Sequence, residues 1–203
     1  GIRLSLCAEG REIIMKAVVV KGDKQNPVLV WETVPNVTHG PDEVLVNVQA
    51  TAVNRADLLQ ARGGYNPPPG ASDILGLEMA GIIAAVGEDV EEWQVGDRVC
   101  ALLPGGGYAE QVVVPAGMLL KLPKSWTFAM GTAVPEVWYT AYVNLFLEGD
   151  LVAGETVLIH AAATVVGTAA IQLANAAEAT VFITAGSEEK LLACRRLGAE
   201  LAI

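Results

Sequence analysis

Cysteine is scarce in this chain: Cys7, Cys100 and Cys194 are far apart and odd in number. That excludes a disulfide framework and any C-x-x-C metal pair, and it points to a reducing, cytoplasmic setting. Histidine is scarcer, with only His39 and His160, and neither stands in metal-ligand spacing. A zinc site needs three or four nitrogen, sulfur or carboxylate ligands, so no metal is expected. Positive charge is short as well, 13 Lys and Arg against 23 Asp and Glu for a net charge of -10. A basic face for nucleic acid or an anionic membrane surface is thereby excluded, which leaves small molecules as the ligands to consider. The first fourteen residues, "GIRLSLCAEGREII", lack the long apolar run of a signal peptide or spanning helix and begin with Gly. They read as a leader or an appended remnant ahead of Met15.

What the chain does have is apolar residues, 52% of 203, enough to bury a sizeable core in one or two domains. From Met15 it reads as short strands: "MKAVVV", "VLVWETV" and "EVLVNVQATAVN", the last with alternating Val44, Val46 and Val48. "RADLLQAR" reads as a short helix, and "GGYNPPPGASD" as a loop, because Gly and three prolines deny both helix and central strand. Strands resume at "AGIIAAVG", "GDRVCALL" and "GYAEQVVVP", so residues 15–130 suggest a β-barrel or sandwich. "GGG" at 105–107 is read as a tight strand connection, since no helix follows it.

The pattern then changes over 131–203. "PEVWYTAYVNLFLEG" reads as a helix, and "TVLIHA", "AAIQLANAA", "TVFITA" and "EEKLLACRRLG" as strand, helix, strand, helix. Such a βαβα run calls for a parallel sheet whose ligands lie beyond the carboxyl ends of its strands.

Four stretches carry a family resemblance: "ATAVNRADLLQARGGYNPPPGASDILGLEMAG", "VGDRVCALLPGGGYAEQVVVPAG", "GETVLIHAAATVVGTAAIQLA" and "TAGSEEKLLACRRLGAELAI". Together they resemble the zinc-free quinone oxidoreductases, the zeta-crystallin-like branch of the medium-chain dehydrogenase/reductase superfamily, almost without a gap from Met15 to Ile203. The resemblance implies an α/β chain with a GroES-like, β-barrel-type catalytic domain followed by the first part of a Rossmann domain. It implies NADPH in the cleft and hydride delivered to a quinone or enone. The zinc-dependent relatives carry Cys where this chain has Asn54 and His where it has Leu77, which agrees with a metal-free site.

By the same resemblance Asn54, Asp57 and Tyr65 line the acceptor pocket, with Tyr65 also reaching the cofactor, and Thr140 lies near the nicotinamide. Each has a plainer alternative: Asn54 bonded within its loop, Asp57 capping "LLQAR", Thr140 bonded back to its own helix. Glu78 is read as a buried pair former. At the end of the second strand an NAD-binding fold usually places an acid for the ribose hydroxyls. Here "TAGSEEK" offers Gly186 and Ser187, with Lys190, Arg195 and Arg196 following, which favours NADPH. The opposing view makes these ordinary helix-surface charges, with Glu188 and Glu189 complementing the helix N-terminus.

Two departures from the family stand out. Thr164, Val165, Val166 and Gly167 form the phosphate turn, where relatives have "AAAGGVG" or "AGASGVG" for this chain's "AAATVVG". Val165 replaces a glycine, so crowding of the pyrophosphate and a costly backbone, should φ be positive there, are expected. Glu178 stands where the family has Gly at a helix end, so the helix is expected to end differently, at a cost of about 1 kcal/mol. The sheet also holds only half its expected strands, which reads as a C-terminal truncation with an apolar edge that leaves room for a homodimer. Two functions of different class follow: an NADPH-dependent quinone or enone reductase, or a non-catalytic splice form or fragment with impaired cofactor binding that acts by association.

Overall fold

The computed structural model describes residues 14–203. The leader reading therefore falls, for residues 1–13, outside the described residues, as does Cys7, and Ile14 already opens the first strand. The chain divides into two compact units at Pro135/Glu136.

In the first unit β1 (Ile14–Lys21) and β2 (Val28–Pro35) form an antiparallel hairpin. β3 (Glu43–Thr51), β4 (Glu78–Val86), β5 (Arg98–Leu102), β6 (Gln111–Pro115) and β7 (Leu119–Lys121) form a five-stranded antiparallel sheet in the order β6-β3-β4-β5-β7. The alternation read in β3 is what buries Val44 and Val46 against Met79, Ile83, Val99 and Val114. The hairpin joins this sheet through a single bridge, Ala17 to Ala109, flanked by Val18 N–H to Tyr108 O (2.8 Å) and Glu110 N–H to Lys16 O (2.9 Å). The barrel-type expectation is thus corrected. Closure needs every strand edge paired, and among the described residues β6 and β7 remain the ends of an open sheet.

Helix α1 (Arg55–Ala61) follows β3, and the proline-rich stretch after it is irregular, as its composition requires. A four-residue helix α2 (Phe128–Gly131), capped by the Thr127 side chain on Met130 N–H (3.1 Å), was not legible in the sequence.

The second unit begins with α3 (Pro135–Tyr142), which widens into a π-helical turn over Val143–Glu148. β8 (Thr156–Ile159), α4 (Val165–Ala176), β9 (Thr180–Ile183), α5 (Glu188–Arg196) and β10 (Leu201–Ala202) then alternate. The strands are parallel in the order β10-β9-β8. The α4 residues Ala169, Ala170, Ile171 and Ala174 pack on Val181 and Ile183, so small residues bring the helix close to the sheet.

The end of α4 corrects a further expectation. Glu178 takes the left-handed conformation itself, with φ 60. Its N–H bonds to Asn175 O (3.0 Å) and the N–H of Ala179 to Ala174 O (3.0 Å), the pair of bonds of a Schellman ending. The helix ends as glycine would end it, because Gly154 N–H to Glu178 O (3.0 Å) and Thr180 N–H to Glu155 O (2.7 Å) hold the chain in place there.

Candidate functional site

In the first unit the polar groups gather where β3 runs into α1 and β4 begins. Asn54 is the N-cap of α1, and it forms a capping box with Asp57. The Asn54 backbone N–H donates to Asp57 Oδ2 (2.8 Å), and Asp57 is 2% exposed. Burying a carboxylate is costly without partners, and Asp57 has two more: Gly76 N–H donates to Oδ1 (3.1 Å) and the Tyr108 hydroxyl to Oδ2 (2.9 Å). Glu78, 1% exposed at the first position of β4, accepts from Asn54 Nδ2 at 2.8 Å. Thr51 Oγ1 donates to the Glu78 carbonyl (2.7 Å), which fixes that end of β4. The two carboxylates leave an electrical mark on their neighbours. Burial first, and the charge of Glu78 second, push the Cys100 thiol up to about 11. Burial, the bond to Asp57 and the charges of Asp57 and Glu78 raise the Tyr108 phenol too.

In the second unit the polar groups gather beyond the carboxyl ends of β8 and β9. Thr164 is the N-cap of α4 and its Oγ1 accepts from Gly167 N–H (3.3 Å). Gly167 is seated on the turn that follows β8: a Cβ there would lie 2.5 Å from both Cα and O of Ala162. The amides of Val165 and Val166 precede the helix's own ladder. Beside them His160 Nδ1 lies 3.1 Å from Thr184 Oγ1. At the end of β9, Ser187 caps α5 by accepting from Lys190 N–H (3.4 Å), and a side chain on Gly186 would meet nothing within 4 Å.

An alcohol dehydrogenase GroES-like domain is matched over residues 40–124. The mycocerosic acid synthase-like polyketide synthase of Mycobacterium tuberculosis is 38% identical over 179 residues, 88% of this chain and 8% of that protein. The crystal structure of CurK enoyl reductase superimposes with a TM-score of 0.82 at 33% identity, over 93% of this chain and 59% of that one. That of Escherichia coli quinone oxidoreductase complexed with NADPH gives 0.78 at 28% identity, over 94% and 58%. The chain thus carries a GroES-like domain and has the fold of the medium-chain dehydrogenases/reductases.

The chain spans about three-fifths of these solved structures and less than a tenth of the polyketide synthase. Its sequence-derived residues fall into two groups. Asn54 and Asp57 share one hydrogen-bonded network, and Tyr65 lies half-buried in the irregular segment after α1. Thr164, Val165, Val166, Gly167, Gly186, Ser187 and Lys190 cluster at the strand ends of the other unit. Thr140 Oγ1 bonds back to Glu136 O (2.6 Å) within α3. Val165 is the first helical residue, 68% exposed, and it is not among the residues with positive φ. The strained-backbone expectation at Val165 is therefore corrected. The turn is made instead by Ala161, at φ 50. Counted back from Gly167, the G-x-G-x-x-G spacing puts Ala162 and Thr164 at the first two glycine positions, so close backbone approach bears on Thr164. Tyr108 and Thr184 escaped the sequence reading altogether. Each acts through a partner far away in the chain, which no local motif announces.

Proposed function

We propose that this chain carries the acceptor and cofactor elements of a metal-free, NADPH-dependent oxidoreductase that reduces quinones or enones. The observation that carries the reading is the end of β9: Gly186, Ser187 and Lys190 stand where an acid would select NADH, with open space at Gly186. The residues present suit a dinucleotide. Gly167 lets α4 approach the turn after β8, the first-turn amides of Val165 and Val166 suit a pyrophosphate, and Lys190 supplies a cation for a 2′-phosphate. When bound, the nicotinamide supplies the hydride. The protein's task is to orient the acceptor and stabilise charge on its oxygen, a task for Asn54, supported by Asp57, and for Tyr65. Thr140 serves the nicotinamide end. Metal-free operation is supported by Asn54 and Leu77, which stand where the zinc-dependent relatives carry Cys and His.

A second reading, a non-catalytic chain with impaired cofactor binding, is favoured by Thr164: its side chain occupies a glycine position and takes the Gly167 N–H. Titrating the chain with NADPH and NADH separates the two. The reductase reading expects NADPH to bind more tightly, with the difference lost in Lys190→Ala. Equal affinity for both, unchanged by Lys190→Ala, overturns the cofactor assignment. Weak or undetectable binding of both dinucleotides favours the second reading.

A further inference from the structure

The reading above gives Asn54 to the acceptor, and Glu78 determines which edge of its amide the acceptor meets. A carboxylate only accepts hydrogen bonds. Glu78 Oε1 lies 2.8 Å from Asn54 Nδ2, so the nitrogen edge of the amide faces Glu78, and a flipped amide would set oxygen against oxygen. Both ends of this bond are anchored. Asn54 is tied through its backbone N–H to buried Asp57, and Glu78 is tied through its carbonyl to Thr51. Asp57 is in turn fixed by Gly76 and Tyr108, so neither partner is free to re-pair. One amide hydrogen goes to Glu78, and the second remains.

We propose that Glu78 is a positioning residue that locks Asn54 as a hydrogen-bond donor, so that the acceptor is held through a carbonyl oxygen. This rests on the reductase reading. It also deepens it, because it makes a carbonyl on the acceptor the recognised feature. A hydride acceptor with its carbonyl on that N–H gains stabilisation as negative charge builds on the oxygen, and Glu78 reaches it through Asn54.

The test has an arm without cofactor. In the cofactor-free 203-residue chain, labelled with nitrogen-15, the Asn54 side-chain amide pair is identified by its loss in Asn54→Ala. The two protons are expected to be widely split, one of them held by Glu78. Glu78→Leu should collapse the splitting, and Glu78→Gln, which keeps an acceptor oxygen at the same reach, should restore it in part. An Asn54 pair unmoved by both substitutions overturns the proposal. Should Glu78→Leu fail to fold, the near-isosteric Glu78→Gln carries the same comparison against wild type. In turnover with a benzoquinone or a simple enone, Asn54→Leu and Glu78→Leu are each expected to lower kcat/KM about ten-fold or more. The double variant should be no worse than Asn54→Leu alone, with NADPH affinity unchanged throughout. Additive losses overturn the proposal. A wild-type chain that reduces neither acceptor overturns the reductase reading instead, and the amide spectrum still decides whether Glu78 sets the amide.

Discussion

Gly167→Ala puts the seating of α4 on the turn after β8 to a direct test. A Cβ at 167 would fall 2.5 Å from both Cα and O of Ala162, and both are backbone atoms that no rotamer can move aside. Helix propensity alone favours the change, since Ala gains about 1 kcal/mol over Gly inside a helix. Against that stands overpacking, which costs about 1–3 kcal/mol and belongs at or above the upper end when backbone is struck. Displacing α4 also loosens Ala169, Ala170, Ile171 and Ala174, the residues by which it joins the core. The net loss is about 2 kcal/mol, which at about 2–4 °C per kcal/mol for a chain of this size lowers Tm by about 4–8 °C.

The control is Gly186→Ala, at a position where a Cβ meets nothing within 4 Å and φ is not in the left-handed region. That change should stay within about 0.5 kcal/mol. Thermal unfolding followed by circular dichroism measures both, and an NADPH titration shows whether the displaced helix has also lost ligand. A Gly167→Ala chain that melts at or above wild type would refute the argument. It would mean that α4 can retreat from the turn at no cost, and that the glycine there serves neither packing nor the phosphate site.

The strands and helices were legible because their burial follows local periodicity. Val44 and Val46 point inward from β3 as their alternation requires, and the glycine and three prolines before Ser72 keep that segment irregular. Barrel closure was not legible, since it depends on which edges find partners, and those partners are not encoded near the edges themselves. The Asn54 network was half legible. The cap-to-helix spacing from Asn54 to Asp57 is local, whereas Glu78 is 24 positions from Asn54 and Tyr108 is 51 from Asp57. At the phosphate turn the sequence located the departure from glycine but not the backbone conformation of Val165, which is fixed only once Thr164 caps the helix. Left-handed Ala161 and Glu178 run against their own preferences, so only the surrounding hydrogen bonds explain them.

Thr164→Gly should raise NADPH affinity more than Val165→Gly, since Thr164 holds the second glycine position and Gly is only a few tenths of a kcal/mol poorer as an N-cap; calorimetric titration giving the reverse order refutes it. Cys100 makes stability fall with alkaline pH. Its thiol is raised from 9.0 to about 11 in the folded chain, so the unfolded chain releases that proton first and stability is lost as pH climbs through this window. Cys100→Ala should flatten the slope by on the order of 2 kcal/mol across the window, as read by urea unfolding at several pH values. The remaining slope belongs to Tyr108 and Cys194, whose phenol and thiol are both raised by burial and act in the same direction. The last prediction concerns strain in the second unit. Among the described residues the left-handed positions of the first unit are all glycines, while the second unit places Asp150 (φ 48), Ala161 (φ 50) and Glu178 (φ 60) there. A side chain in that region costs about 1–2 kcal/mol, less for Asp, whose short polar side chain tolerates it. Introducing Gly relieves this but gives back about 0.5–1 kcal/mol through the freer unfolded chain. Glu178→Gly should therefore gain about 0.5–1 kcal/mol, or about 1–4 °C in Tm, because Glu178 pays the full strain at the end of α4. Ala161→Gly should gain a similar amount, and Asp150→Gly should gain nothing. Calorimetry of the three single variants decides the order, and a gain at Asp150 equal to that at Glu178 would show that backbone strain does not set it.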